Sequence, residues 1–279
     1  MKNILVPCDF SEQARQAFRF ALDISRNSKG KIHLVHVVEL PVVHEPIFMP
    51  VYSFEEVLIK EFREKAEKEF KKLTSKYAVQ GDKIITQILF GGTFQMLSDY
   101  IRTNAIDLVV MGTRGASGVR EILVGSNTEK VVRKSPVPVI AVKKYVPAHT
   151  IKNIVFPNTL HTEKQENLLM KVKALQDFFK ATLHIVWINT PSNFTPDRIT
   201  RTRLESFARR FMLKNYTINI YNDPYEESGI INFAHDIGAD MIAMGTHGRR
   251  GVAHVLAGSI AEDVVNHVDC PIWTYSLKK

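Results

Sequence analysis

One long stretch of this chain occurs twice, and that repetition limits the possible folds more than any other feature. The first copy reads Asp107-Leu-Val-Val-Met-Gly112-Thr-Arg114-Gly115, passes through Gly118 and ends Leu123-Val-Gly125-Ser126-Asn127-Thr-Glu129. The second reads Asp240-Met-Ile-Ala-Met-Gly245-Thr-His-Gly248, passes through Gly251 and ends Leu256-Ala-Gly258-Ser259-Ile260-Ala-Glu262. The glycines, the Gly-Ser pairs and the following glutamates align without a gap. Each copy runs on to a proline-bounded apolar segment, Pro136–Val142 in one and Pro271–Tyr275 in the other. A repeat of this length implies two tandem units, predicted here as residues 1–146 and 147–279.

The repeated stretch has a readable chemistry. Val109-Val-Met111 and Ile242-Ala-Met244 are apolar runs of the buried parallel-strand kind. Each ends at a glycine, and a Gly-x-x-Gly turn presents backbone N–H groups with no side chains in the way. Ser126-x-x-Glu129 and Ser259-x-x-Glu262 fit the capping box of a helix N-terminus. Free amides beside the positive end of a helix suit a phosphate group. Glycine turns and capped helices are also common as plain architecture, and both readings stay open for one copy taken alone.

The spacings Gly112-x2-Gly115-x9-Gly125-Ser126 and Gly245-x2-Gly248-x9-Gly258-Ser259 resemble the ATP-binding signature of universal stress proteins. Ile4-Leu-Val-Pro7-Cys8-Asp9-Phe-Ser11 resembles that family's first strand and turn, and Ile32–Val37 its second strand. The resemblance implies an adenine nucleotide, ATP or a relative with or without Mg2+, held by Pro7, Asp9, Val37, Gly112, Arg114, Gly115, Gly125, Ser126 and Asn127. Asp9 would meet the nucleoside and the backbone of Val37 the adenine, while the amides after Gly125 would meet the phosphates. In the second copy the corresponding residues are Gly245, Gly248, Gly258, Ser259 and Ile260. Asp9 equally suits a turn, Ser126 a helix cap and Arg114 plain solvent exposure.

The segments in order predict an α/β fold. Expected strands are Ile4–Pro7, Ile32–Val38, Ile84–Leu89, Ile106–Met111 and Val137–Val142, with helices over Gln13–Ser25, Glu55–Tyr77, Thr93–Asn104 and Ser126–Lys134 between them. Ser11 is the expected N-cap of the first helix. Pro41–Phe54 reads as a long apolar loop, either a flap or a binding element. Lys143–Thr150 reads as the linker. The pattern restarts with strands Ile154–Pro157, Leu183–Ile188, Thr217–Tyr221, Asp240–Met244 and the last apolar run. The helices of this second unit are Glu163–Phe179, a basic Arg198–Lys214, Glu227–Ile237 and the segment after Ser259. Each unit is a doubly wound (Rossmann-like) five-stranded parallel sheet, whose ligands bind beyond the carboxyl ends of its strands. The resemblance adds the flavodoxin-like strand order 3-2-1-4-5 and a pseudo-twofold pairing of the units through their last strands, an intrachain pseudo-dimer.

The second unit departs from the first. Asn158 is read as the match of Asp9, Trp187 replaces His36, and Ile188 replaces Val37. The phosphate half of the motif is intact and the nucleoside half is altered, so the first unit is expected to bind nucleotide more tightly. His36 reads as a core histidine.

Composition narrows the function classes. At 279 residues, 45% apolar and 24% charged, the chain has ordinary globular composition. Cys8 and Cys270 fall one per unit in apolar surroundings. They read as buried thiols in a reducing, cytoplasmic setting, and no metal-ligand spacing occurs. No apolar run reaches the ~20 residues of a membrane span. The net charge of +8 is modest for this length, and no nucleic-acid motif accompanies it. No catalytic triad, acid pair or P-loop lysine is present, so no catalytic residue is assigned and at most slow ATP hydrolysis is expected. The reading is a stress-response or regulatory nucleotide binder. The alternative is a protein-interaction module with vestigial glycine motifs, and a protein partner or a homodimer fits either.

Overall fold

The computed structural model describes residues 1–39, 51–113, 126–158, 166–247 and 260–277. The first half runs β1 (Asn3–Pro7), α1 (Glu12–Ser28), β2 (Lys31–Val38), α2 (Val51–Tyr77), β3 (Ile84–Phe90), α3 (Thr93–Thr103), β4 (Leu108–Gly112), α4 (Ser126–Lys134) and β5 (Val139–Val142). The second runs β6 (Asn153–Pro157), α5 (Glu166–Phe179), β7 (Thr182–Asn189), α6 (Asp197–Arg210), β8 (Tyr216–Asn222), α7 (Glu226–Asp236), β9 (Met241–His247), α8 (Ile260–His267) and β10 (Ile272–Leu277).

Among the described residues, ten strands form one sheet in the order β3-β2-β1-β4-β5-β10-β9-β6-β7-β8. Each half is parallel and has the order 3-2-1-4-5. The halves meet where β5 and β10 pair antiparallel, with Ile272 opposite Ala141, Trp273 opposite Ile140 and Thr274 opposite Val139. An edge strand offers unpaired amides and carbonyls, and here each last strand satisfies the other's. Trp273 is fully buried at this junction.

Strand alternation supplies both faces of the sheet. Ile4 and Val6 point to one face, where Phe18, Ile24 and Phe70 of α1 and α2 join Leu169, Leu204 and Phe207 of α5 and α6 in a core continuous across both halves. Leu5 points to the other face, packing with Leu97, Ile101 and Val131 of α3 and α4. Val155 and Val186 do the same with Ile230, Phe233 and Val264 of α7 and α8.

Local chemistry places the ends of the elements. The Ser11 side chain accepts from the amide of Ala14, so the predicted N-cap of α1 is present. Lys29, at φ 53°, turns the chain out of that helix, and the amide of Gly30 closes on the Ser25 carbonyl. Each repeated stretch opens with an aspartate that the sequence reading left without a role. Asp107 accepts from the amides of Lys2 and Asn3, at 2.7 and 3.3 Å, and Asp240 does the same for Lys152 and Asn153, at 2.9 and 2.8 Å. Each thereby fixes the start of the neighbouring central strand.

Three expectations need correction. Helix α2 begins at Val51, so the end of the expected Pro41–Phe54 loop is helical, and residues 40–50 lie outside the described residues. Helix α6 stops at Arg210 rather than Lys214, because Met212 turns left-handed at φ 49° and the next residue, Leu213, is buried. Strand β9 does not stop at Gly245 but continues to His247, because β10 pairs with it as far as Leu277. Within the stretch read as the linker, residues 148–150 form a short 3-10 turn, and Asp23 of α1 accepts from the Tyr145 hydroxyl (3.0 Å) and the Ala148 amide (3.1 Å).

Candidate functional site

In a 3-2-1-4-5 sheet the connections leave β1 and β4 toward opposite faces, which opens a crevice beyond their carboxyl ends. Pro7 is the last residue of β1, and Asp9 follows in the turn to α1. Val37 lies near the end of β2, beside β1. Gly112 ends β4, and Ser126 and Asn127 open α4. The topology therefore brings Pro7, Asp9, Val37, Gly112, Ser126 and Asn127 to one end of the first half. Arg114, Gly115 and Gly125 lie outside the described residues.

The turn that carries Asp9 is built by neighbours. Phe10 adopts φ 62°, a conformation that disfavours a residue with a side chain. Its ring is held 4.7 Å from His36 and 5.1 Å from Phe70. The His36 Nδ1 donates to the Cys8 carbonyl at 2.7 Å, which sets the tautomer because a carbonyl accepts only. The carboxylate of Asp9 accepts from the Ser11 amide at 3.0 Å. His36 is thus a prop for this turn. Burial pushes the Cys8 thiol up to about 12, so the thiol stays protonated and unreactive.

Gly112 is glycine for a reason the turn reading missed. A Cβ there would stand 2.8 Å from backbone and side-chain carbons of Gln13 and 3.0 Å from the Ala14 amide, inside the first turn of α1. Close approach of α1 to β4 is what this position requires. The Thr128 hydroxyl in the first turn of α4 donates to the Gly112 carbonyl at 2.9 Å, and Thr128 is buried. This bond ties the N-terminus of α4 to the end of β4, so the first helical amides lie at the crevice. Glu129 of the expected capping box pairs with Arg133 at 2.7 Å.

The sequence reading also passed over Glu39, one residue beyond β2. Its carboxylate accepts from the Thr93 amide at 2.9 Å and caps α3 from a distance. Hydrogen bonds from Thr93 hold it below the usual carboxylate range. The signal was the Gly91-Gly92-Thr93 helix start, which has no side-chain cap of its own.

The second half differs in register and in filling. The Asn158 amide bonds to the Val186 carbonyl as that of Cys8 bonds to Val35, and Pro157 lies opposite Val186 as Pro7 lies opposite Val35. Asn158 therefore stands in the place of Cys8, not of Asp9 as the sequence reading had it. The counterpart of Asp9 is Thr159, which lies outside the described residues. Counting residues after the proline gives this pairing directly. Trp187 and Ile188 do stand where His36 and Val37 stand. Ile188 is buried, with its Cγ2 only 2.4 Å from where a Cβ on Gly229 of α7 would lie. The loop beyond β7 is tied down by Asn193 to the Thr190 amide (2.7 Å) and by Asn189 to the Thr195 amide (2.9 Å). Gly245 lies inside β9, and Ile260 opens α8; Gly248, Gly258 and Ser259 are outside the described residues.

The profile of the universal stress protein family matches residues 1–143 and 222–276. The chain belongs to the universal stress protein family. Among its relatives, a universal stress protein of Methanocaldococcus jannaschii is 29% identical over 51% of this chain and 82% of its own length. Two solved universal stress protein structures match the whole fold. That from Archaeoglobus fulgidus has a TM-score of 0.75 at 22% identity, covering 99% of this chain and 97% of its own. One from Pseudomonas aeruginosa, described as putative in its own name, has a TM-score of 0.65 at 17% identity, covering 99% and 93%. The universal stress profile covers all five strands of the first half, but in the second it begins at residue 222, after β6 and β7 have passed. Among the described residues, no group of three or more His, Cys, Asp or Glu is placed to hold a metal, and no helix is long and apolar enough to cross a membrane.

Proposed function

We propose that this universal stress protein binds an adenine nucleotide, ATP in the first instance, in the crevice of its first half, and that binding serves regulation rather than turnover. The observation that carries the reading is the placement of α4. Its N-terminus is tied by Thr128 to the end of β4, beside the strand that leads into Asp9. A helix N-terminus at that crevice offers amides and partial positive charge to phosphates. Pro7, Asp9 and the Val37 backbone would then hold the nucleoside end. Gly112, Arg114, Gly115, Gly125, Ser126 and Asn127 would surround the phosphates. Any Mg2+ would enter with the nucleotide.

The second half would bind more weakly or not at all, with Gly245, Gly248, Gly258, Ser259 and Ile260 as its remaining phosphate elements. Three observations support the asymmetry: α7 closes over Ile188, Trp187 Nε1 is buried with no hydrogen-bond partner among the described residues, and the family profile skips this nucleoside region. The division of the chain into functional units at residues 146 and 147 is part of the same proposal.

Thermal unfolding with and without millimolar Mg-ATP tests the reading. A saturable rise in melting temperature is expected, because a ligand that binds the folded state stabilises it by mass action. No rise at any nucleotide concentration would remove the reading and leave the glycine motifs as architecture.

A further inference from the structure

A helix leaves its last four carbonyls without partners inside the helix, and each must find one elsewhere. In α4 the Val131 carbonyl accepts from the Ser135 amide at 2.9 Å, within the same half. The next two are served from the other half of the chain. Thr246 Oγ1 of β9 donates to the Val132 carbonyl at 3.4 Å, and Ser276 Oγ of β10 donates to the Arg133 carbonyl at 3.2 Å. Thr246 and Ser276 are both buried. They lie opposite each other in the β9–β10 register, on the stretch where these strands run beyond their counterparts β4 and β5. In the opposite direction Lys143, just after β5, pairs with Asp269, just after α8, at 2.7 Å.

Helix α4 is therefore pinned at both ends by different halves. Thr128 fastens its first turn to Gly112, and Thr246 and Ser276 fasten its last turn to β9 and β10. Thr246 also follows directly on Gly245 of the second glycine motif, so the C-terminal end of α4 rests on the strand that enters that motif.

We propose that Thr246 and Ser276 are positioning residues for the nucleotide site of the first half, acting through α4. The inference rests on the reading of that site given above. It assigns the second half a role that does not depend on its own crevice being filled: it holds the phosphate-binding helix of the first. Loss of the two hydroxyls would leave two carbonyls at the end of α4 without donors, and the helix, free to shift along its axis, would carry its N-terminal amides out of line with the phosphates.

The test is titration calorimetry of the full chain with Mg-ATP, comparing wild type, the double variant Thr246→Val/Ser276→Ala and the conservative double variant Thr246→Ser/Ser276→Thr. Hydrogen exchange of residues 126–134 is measured alongside, without nucleotide. The expected result is affinity weakened roughly three- to tenfold in the hydroxyl-free variant, the size set by one or two modest hydrogen bonds. Faster exchange in the last turn of α4 should accompany it, and the conservative variant should recover both. A folded hydroxyl-free variant that binds Mg-ATP as tightly as wild type overturns the inference and leaves the nucleotide reading standing. A wild type that binds no nucleotide overturns both, whatever the exchange rates show.

Discussion

The Thr128 hydroxyl and the Gly112 carbonyl lie 2.9 Å apart, joining the first turn of α4 to the last residue of β4. The repeated glycine stretch lies between them in sequence, so this bond joins the two described ends of the segment on which the proposed site depends. Thr128→Val keeps the shape and removes the donor. The expected cost is about 1–2 kcal/mol of stability, since a buried carbonyl loses a partner. A lowered urea midpoint would check the cost, and weaker Mg-ATP binding in calorimetry would check the link to the site. A variant as stable as wild type would show that the bond carries little.

Gly112 and Gly245 occupy matching positions in the two copies and should respond differently to alanine. At Gly112 the new methyl meets the backbone of α1 at 2.8–3.0 Å, and a helix must move. At Gly245 the nearest atoms are side-chain tips, Leu168 Cδ2 at 3.0 Å and Leu277 Cδ1 at 3.2 Å, which can turn aside. Gly112→Ala should cost about 1–3 kcal/mol and Gly245→Ala less than about 1 kcal/mol. Equal urea midpoints for the two variants would contradict the packing described here.

Acid should destabilise the fold through two matching histidines. His33 on β2 shares a 2.9 Å hydrogen bond with the Tyr100 hydroxyl, and its Nε2 is buried with no partner among the described residues. His184, its counterpart on β7, bonds to Thr217 and Asn153. Burial lowers both below the ordinary histidine range, by favouring the neutral ring. The unfolded chain therefore takes up protons first as pH falls through about 6.5, and stability drops from there toward the lowered folded values. Above that range both states are neutral and the contribution is constant. Urea midpoints measured from pH 7.5 to 5 should fall, and His33→Gln should reduce the slope. An unchanged slope in that variant would remove His33 from the account.

The linker should be released by a change in α1. Asp23 holds the Tyr145 hydroxyl and the Ala148 amide, and the Arg19 guanidinium lies 3.9 Å above the Tyr145 ring. Asp23→Ala removes two acceptor contacts at once. Trypsin should then cut after Lys144 faster than in wild type, because cleavage follows local opening. Identical cleavage rates would mean that the linker is held by packing alone.

Much of this fold was legible because the signals were local and occurred twice. The alternation of apolar runs with amphipathic segments gave the strand and helix order, and Ser11 announced the start of α1. What was not legible depended on partners distant in sequence. Nothing within Met241–His247 says that β9 continues past Gly245; its pairing with Ser276 and Leu277 of β10 decides that. The glycine at 112 looks like turn chemistry until α1 is seen against it. Asp107 and Asp240 were read as part of their strands, and their role shows only once the neighbouring strand starts that they hold are in view. The placement of Asn158 was a matter of register, and the paired strands β6 and β7 corrected it. Of the proposed site, the residues at strand ends come from the resemblance, whereas Glu39, the His36 prop and the second-half brace on α4 required the structure.

The central claim is that one adenine nucleotide binds per chain, in the first half. Titration calorimetry with Mg-ATP on wild type and on Asp9→Ala tests it most directly. The account predicts a stoichiometry close to one in wild type and a marked loss of affinity in the variant. Two equal sites per chain, or binding indifferent to Asp9, would contradict it.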